Sequence, residues 1–235
     1  MTFLRELDIQ ASLLVNDAAG HNRILDLLVG GLSGNDMFKG VVAMMLFWGL
    51  WSAARDKTGE TRAGLLALAI SASISVILGR VLALILPFRL RPVHADHEGF
   101  NTPYGMPETV LEGWSSLPSD HAALFYALAF GFLMIDRRAG IAALLYAVIV
   151  ITLPRIYIGF HYWSDMIAGG LIGAFSAFVI LPWLRDLILR HDVLRVERHH
   201  PALFYPVMFF VTYQMASLYG PAVSFLKAVA RGLGA

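Results

Sequence analysis

Six long apolar stretches constrain this chain more than any other feature of its sequence. A helix needs about 20 mostly apolar residues to cross a hydrocarbon core of about 30 Å, and lipid offers no partner to an open strand edge. Only 15% of the residues are charged, which is too few for the surface of a soluble domain. The sequence therefore predicts an all-α integral membrane protein with a six-transmembrane-helix bundle. The predicted spans are 37–54, 63–86, 120–136, 139–158, 162–184 and 202–229.

The segment before the first span has a different pattern. Between Leu7 and Gly31, apolar residues alternate with Asn, Asp and His. This pattern predicts one or two amphipathic helices that lie at the membrane interface. No internal repeat or linker interrupts the chain, so we expect one membrane domain over 1–235. It would consist of an interfacial segment at 1–35 and a six-helix core at 37–229.

The positive charges predict the orientation of the bundle. Nine of the eighteen Lys and Arg residues lie in three loops that alternating spans place on one side, and the positive-inside rule makes that side cytoplasmic. The long loop 87–118 and the turn near residue 160 then face the extracytoplasmic side of the plasma (inner) membrane. A net charge of +1 gives no sign of a nucleic-acid partner. The nine residues are Arg55, Lys57, Arg62, Arg137, Arg138, Arg185, Arg190, Arg195 and Arg198.

Between the fourth and fifth predicted spans lies the most informative polar segment. His161 and Asp165 are four residues apart, so on a helix they would share a face. A carboxylate that accepts a hydrogen bond from one ring nitrogen fixes the tautomer and leaves the other nitrogen able to attack. Arg155 precedes His161 across a turn marked by Gly159, and its planar guanidinium suits two oxygens of one phosphate. The alternative is an interfacial His–Asp pair with an unrelated arginine.

A second polar segment opens the third predicted span. Pro118 and Ser119 are typical of a helix start, with Ser119 near the cap. The backbone N–H groups there would bind an anion, with Asp120 beside them. His121, in the first turn, could protonate a leaving oxygen. A capped helix with a surface histidine explains the same residues without catalysis.

Arginines mark the end of the second predicted span. Arg91 before Pro92 could bind the phosphate with a second guanidinium. Arg80 lies within an apolar run, where a central arginine costs about 2.5–3.5 kcal/mol on insertion scales. It either extends to the interface or points into the bundle toward phosphate. Arg89 lies nearer the expected site.

Together these residues describe a phosphoryl-transfer site. No cluster of carboxylates suggests a bound magnesium ion, so we expect neither metal nor cofactor, and cationic side chains must neutralise the transferred group. The loop that follows Pro92 contains His94, Asp96, His97 and Glu98, which are possible metal-ligand types. A solvated loop is the preferred interpretation there.

These motifs resemble the type 2 phosphatidic acid phosphatase superfamily. Its pattern is Lys-x6-Arg-Pro, then Pro-Ser-Gly-His, then Ser-Arg-x5-His-x3-Asp. The resemblance implies a phosphohistidine intermediate formed on His161 without metal. It assigns Asp165 as the residue that orients the nucleophile and His121 as the general acid and later water activator. It also implies that Arg91, Ser119 and Arg155 bind phosphate.

Three positions depart from that pattern. Leu84 stands where the lysine is expected, and either Arg80 or Arg89 could take its role. Asp120 replaces the glycine and Pro154 replaces the serine. The Pro-Ser-Asp-His form resembles the bacitracin-resistance type of undecaprenyl-diphosphate phosphatase.

The leading hypothesis is thus an extracytoplasmic phosphatase acting on undecaprenyl diphosphate, the carrier lipid of the cell wall. The same site would suit phosphatidic acid, phosphatidylglycerol phosphate or lipid A, or the transfer of phosphate to another lipid. The alternative from a different functional class is a transporter or a catalytically inactive scaffold. Intact His121, His161 and Asp165 argue against an inactive site.

Overall fold

The computed structural model describes residues 2–107 and 109–232. It is all-helical, with 74% of the residues in helices and no strand among those described. The helices are α1 (Thr2–Asn16), α2 (Arg23–Gly34), α3 (Met37–Ala53), α4 (Glu60–Ile85), α5 (Asp120–Ile135), α6 (Arg137–Tyr157), α7 (Trp163–Arg190), α8 (Arg195–His199), α9 (Pro201–Ala216) and α10 (Gly220–Gly232).

Helices α4, α6 and α7 are long and apolar enough to cross a membrane, and within the described ranges they are the three that meet both conditions. Helices α3 and α5 are apolar but shorter. All five begin and end close to the first five predicted spans, apart from α7, which continues to Arg190. The all-α class is confirmed, whereas the count of six spans stays a prediction.

The predicted sixth span, 202–229, is wrong as one continuous helix. Helix α9 ends at Ala216, and α10 begins at Gly220. Leu218 and Tyr219 have φ angles of 49° and 60°, in the left-handed region where a helix cannot continue. The search for apolar runs detects hydrophobicity and does not detect such a break between two helices.

Helix α5 lies at the centre of the bundle, between α4, α6 and α7. Its approach to α7 depends on two glycines of α7. A Cβ atom on Gly169 would lie 2.2 Å from the carbonyl oxygen of Ser119, and one on Gly173 would lie 2.6 Å from the backbone nitrogen of Ala127. Any side chain at these positions would separate the helices. The two glycines therefore hold Ser119, at the start of α5, against the start of α7.

The two N-terminal helices pack against the same end of the bundle. The Asn16 side chain donates to the carbonyl oxygen of Tyr157 at 2.8 Å, and Asp26 accepts from the Tyr157 hydroxyl at 2.5 Å. Several large apolar side chains of α1 and α2 remain exposed, including Leu14 (79%) and Ile24 (71%). Both helices overlap the segment 7–31, whereas their amphipathic character and their position at a membrane interface stay predictions.

Candidate active site

The three polar segments meet at one end of the bundle, beside the start of α5. The backbone nitrogen of Ser119 donates to the carbonyl oxygen of Asp165 at 3.1 Å. The backbone nitrogen of Ser116 donates to the carbonyl oxygen of Arg89 at 2.9 Å. The loop after α4 is thereby tied to the segment before α5, and α5 to the start of α7.

His161 is held with one ring nitrogen ready to react. Its Nδ1 lies 2.9 Å from the carbonyl oxygen of Ser116, which can only accept, so Nδ1 carries the proton. Nε2 is then unprotonated, and its lone pair accepts a hydrogen bond from a guanidinium nitrogen of Arg91 at 3.3 Å. His161 is buried, with 4% of its surface exposed. The arrangement presents an oriented nucleophilic nitrogen to the centre of the site.

Asp165 approaches His161 without forming the hydrogen bond that the sequence suggested. Its Oδ2 lies 3.6 Å from His161 Nδ1 and accepts from the backbone nitrogen of Tyr162 at 2.8 Å. The shared-helix argument for this pair is wrong, because α7 begins only at Trp163 and His161 precedes it. Ser116 fixes the tautomer, while the fully buried Asp165 places a negative charge near the ring.

Burial keeps His161 neutral. It lowers the pKa of His161 below its ordinary value of 6.5, and nearby Arg91 and Arg155 lower it further. Asp165 opposes this and raises the pKa, but the net shift is downward. The neutral imidazole, which is the nucleophilic form, therefore persists into mildly acidic solution.

Two buried arginines lie at the site without a carboxylate partner. Arg91 donates to three backbone carbonyl oxygens, including that of Phe160 at 2.7 Å, and Arg155 donates to those of Ile151 and Ser33 at 3.3 and 3.4 Å. Neither forms an ion pair with any of the described residues. A buried cation that no carboxylate contacts is unfavourable, so this pair favours the binding of an anion.

Ser119 caps α5 as predicted, and its hydroxyl oxygen accepts from the backbone nitrogen of Ala122 at 3.3 Å. The residue in the glycine position, Asp120, connects two other predicted site residues. One of its oxygens lies 3.0 Å from His121 Nδ1, and the other lies 3.5 Å from Arg80 Nε. Asp120 can therefore orient His121 and leave its Nε2 to exchange protons with substrate.

Both arginines proposed to replace the missing lysine already have partners of their own. Arg80 points into the bundle, where it contacts Asp120 and donates to the carbonyl oxygen of Leu218 at 2.8 Å. Arg89 donates at 2.7 Å to each of Ser164 Oγ, Asp165 Oδ1 and Asp8 Oδ2. Leu84, where the motif has lysine, is 85% exposed.

Two charged residues of this region were not predicted from the sequence. Asp8 on α1 contacts Arg89 and Ser164. Lys39 is buried, with 8% of its surface exposed, in the first turn of α3. Alternating spans place that turn at the same end of the bundle as the motifs, and this signal could have revealed Lys39. No local pattern marks Asp8, because its partners lie far away along the chain.

The loop after Pro92 is solvated only in part: Asp96 and Glu98 are exposed as predicted, whereas His94 and His97 form hydrogen bonds within the fold. His97 Nε2 lies 2.6 Å from the Tyr162 hydroxyl, and His94 Nε2 lies 2.7 Å from the carbonyl oxygen of Val110. Burial raises the pKa of Tyr162 to about 12, so this hydroxyl stays protonated beside His97. In the part of the chain that the structure describes, no three His, Asp or Glu side chains gather as metal ligands.

Comparison with known proteins identifies a family for this chain. The model of the PAP2 superfamily matches residues 64–189. The chain is 25% identical to the bacitracin transport permease protein BcrC of Bacillus licheniformis, over 80% of this chain and 86% of that protein. It is 37% identical to the putative undecaprenyl-diphosphatase YbjG of Escherichia coli K12, over 28% of this chain and 34% of that protein.

No solved structure gives a significant match. The family match covers more than half of the chain and includes Arg91, Ser119, His121, Arg155 and His161. The chain belongs to the PAP2 superfamily.

Proposed function

We propose that this protein is a membrane phosphatase that removes phosphate from undecaprenyl diphosphate on the extracytoplasmic face. The family supports a phosphatase, and the name of the YbjG relative supports this lipid. The observation that carries the proposal is the pair of buried guanidinium groups, Arg91 and Arg155, beside the oriented Nε2 of His161. These groups form an anion site next to a nucleophile.

The proposed reaction has two steps. His161 Nε2 attacks the terminal phosphorus and the P–O bond to the leaving lipid phosphate breaks, while His121 donates a proton to that oxygen. Water then attacks the phosphohistidine, His121 accepts the proton of that water, and the N–P bond breaks to release inorganic phosphate and neutral His161. Arg91, Arg155 and the backbone N–H groups beyond Ser119 would stabilise the transferred oxygens.

In this proposal the whole chain forms one membrane domain with six spans. Helices α3 to α7 supply five spans, and α9 supplies the sixth. Helices α1 and α2 would lie at the extracytoplasmic interface, because they pack beside the site and expose apolar side chains. The lysines and arginines of the opposite loops would face the cytoplasm.

The test is phosphate release by purified protein from a panel of lipids, with EDTA present. The panel contains undecaprenyl diphosphate, phosphatidic acid, phosphatidylglycerol phosphate and lipid A. We expect the fastest release from the diphosphate and no effect of EDTA. A faster reaction with a glycerolipid or lipid A would overturn the substrate, and release from none of the four would overturn the activity.

Two further measurements separate the other reactions that this site allows. Labelled phosphate recovered on a lipid acceptor, in place of free phosphate, would identify a phosphotransferase. The BcrC relative is named a transport permease, so proteoliposomes should also be assayed for movement of the lipid. Movement without phosphate release would contradict the proposed function.

A further inference from the structure

Helix α1 lies outside the matched family region, yet it reaches the active site through one carboxylate. Asp8 Oδ2 accepts from Arg89 at 2.7 Å and from the Ser164 hydroxyl at 2.5 Å. Asp8 Oδ1 accepts from the backbone nitrogen of Ser164 at 2.9 Å. Only 12% of the Asp8 side chain is exposed. All these contacts join residues more than 80 positions apart in the chain.

Arg89 connects Asp8 to the pair that contains the nucleophile. One guanidinium nitrogen of Arg89 donates to Asp8, and the other donates to Asp165 Oδ1. The second oxygen of Asp165 is the one that lies 3.6 Å from His161. The Arg89 guanidinium also lies 4.0 Å from the centre of the Tyr162 ring, which fixes its plane. The position of Asp165 therefore depends on where Asp8 holds Arg89.

We propose that Asp8 is a positioning residue of the active site, which acts through Arg89 to hold Asp165 against His161. The inference rests on the proposed phosphatase function. Asp8 and Ser12 also cap the start of α7. Asp8 accepts from the backbone nitrogen of Ser164, and the Ser12 hydroxyl accepts from that of Trp163 at 3.2 Å. A purely structural role of Asp8 would consist of this cap alone. The test must therefore separate the loss of the cap from the effect on catalysis.

The experiment compares Asp8→Asn with Asp17→Asn, the same change on an exposed residue just after α1. Undecaprenyl diphosphate is the substrate, and thermal unfolding is measured in parallel. We expect Asp8→Asn to lower kcat about tenfold or more, because small displacements of catalytic groups have large effects on rate. KM should change less than about threefold, since no group that contacts substrate is removed. Asp8→Glu should restore part of kcat, and Asp17→Asn should match the wild type.

A double-mutant cycle with Arg89→Gln decides whether Asp8 acts through Arg89. If it does, adding Asp8→Asn to Arg89→Gln lowers kcat less than about twofold further. Equal fold losses in both backgrounds would overturn the proposal, and so would wild-type kcat in Asp8→Asn. A wild-type protein that releases no phosphate from any lipid would instead overturn the proposed function itself.

A separate observation concerns the missing motif lysine. Lys39 is buried, and its Nζ lies 3.0 Å from Asp36, whose side chain is 52% exposed. The preceding segment contacts Arg155, which donates to the carbonyl oxygen of Ser33. The first turn of α3 also contacts residues 147–152 of α6, the stretch that precedes Arg155. A buried ammonium and a buried guanidinium at the same end of the bundle are stabilised when an anion binds near them, and the one ion-pair partner of Lys39 among the described residues is the half-exposed Asp36.

We infer that Lys39 supplies the phosphate-binding cation that Leu84 cannot supply. This inference also rests on the proposed function. It is tested by measuring inhibition by inorganic phosphate and the KM for the diphosphate. Lys39→Met should raise the inhibition constant of phosphate about tenfold, and Lys39→Arg should raise it less. Lys57→Met, on an exposed lysine in the opposite loop, is the matched control.

Asp36→Asn provides the second variant, because it removes the partner and keeps the cation. It should leave phosphate inhibition unchanged or strengthen it. If Lys39 only stabilises the fold through its ion pair, Asp36→Asn and Lys39→Met should lower the unfolding temperature alike, with inhibition by phosphate unchanged in both. That result would overturn the inference for Lys39 and leave the phosphatase activity intact.

Discussion

One short ion pair from each end of the helix bundle makes a useful comparison, because Arg89–Asp165 and Arg198–Asp192 differ in burial. At the active-site end, Arg89 lies 2.7 Å from Asp165, which is fully buried. At the opposite end, Arg198 lies 2.6 Å from Asp192, and their side chains are 54% and 59% exposed. Exposed pairs contribute about 0–1 kcal/mol because water and salt screen them, whereas breaking a buried pair leaves a charge unsatisfied. A short distance alone therefore does not identify a functional pair.

These two pairs also differ in how far along the chain their partners lie. Arg198 and Asp192 are six residues apart, with Asp192 in the turn after α7 and Arg198 in the short helix α8. Asp8, Arg89 and Asp165 come from three separate regions of the sequence. Changes to the pair of Arg89 and Asp165 should therefore affect reactivity, and changes to the pair of Arg198 and Asp192 should remain local.

The largest effect is expected for His161→Gln, which removes the nucleophile and keeps much of the volume. We expect kcat for phosphate release to fall at least about a thousandfold, in line with the loss of other catalytic nucleophiles. Steady-state assays with undecaprenyl diphosphate measure this, with thermal unfolding as the check on folding. Residual activity within tenfold of the wild type would mean that His161 is not the nucleophile.

Arg155→Lys should have the next largest effect. Lysine keeps the charge and loses the planar pair of donors, so we expect kcat/KM to fall about a hundredfold. The control is Arg198→Lys at the opposite end, which should retain the wild-type kcat/KM. Equal activities in these two variants would remove the distinction between the two ends.

The pH dependence provides a smaller but more specific test. Because burial lowers the pKa of His161 below 6.5, the neutral imidazole should persist as the pH falls through 6.5. An unperturbed histidine would be only about one quarter neutral at pH 6, so kcat/KM at pH 6 should exceed one quarter of its plateau value. The acidic limb should remain in His121→Gln. A midpoint at or above pH 6.5 would contradict the assigned environment of His161.

The smallest effect is expected for Arg198→Gln. It breaks an exposed pair, so the free energy of unfolding should change by less than about 1 kcal/mol, and kcat should stay within about twofold of the wild type. Chemical denaturation and the phosphatase assay measure the two quantities. A loss of activity comparable to that of Arg155→Lys would show that the opposite end is coupled to the site.

Local features of the site were predictable from the sequence. Ser119 caps α5 where Pro118 and Ser119 indicated a helix start, and the turn before His161 contains Gly159 with a φ of 74°. Cap and turn preferences depend on neighbouring residues, so the local sequence is sufficient to predict them. The family motif likewise marked the residues that the fold brings together around His161.

Contacts between distant segments could not be predicted in the same way. Ser116 presents a backbone carbonyl oxygen to His161. Every residue type has such a group, so the identity of residue 116 gives no signal of this contact. Asp8 reaches Ser164 only because α1 packs on the start of α7. The division of the sixth predicted span follows from left-handed backbone at Leu218 and Tyr219, which apolar composition does not reveal.

The most direct test of the phosphatase mechanism is to trap the covalent intermediate. Purified protein is mixed with substrate labelled on the terminal phosphate, quenched rapidly in alkali and digested, and the labelled peptide is sequenced. The account predicts label on His161 in the wild type and in Arg198→Gln, and none in His161→Gln. Phosphate release with no label on His161, or with label on another residue such as His121, would contradict it.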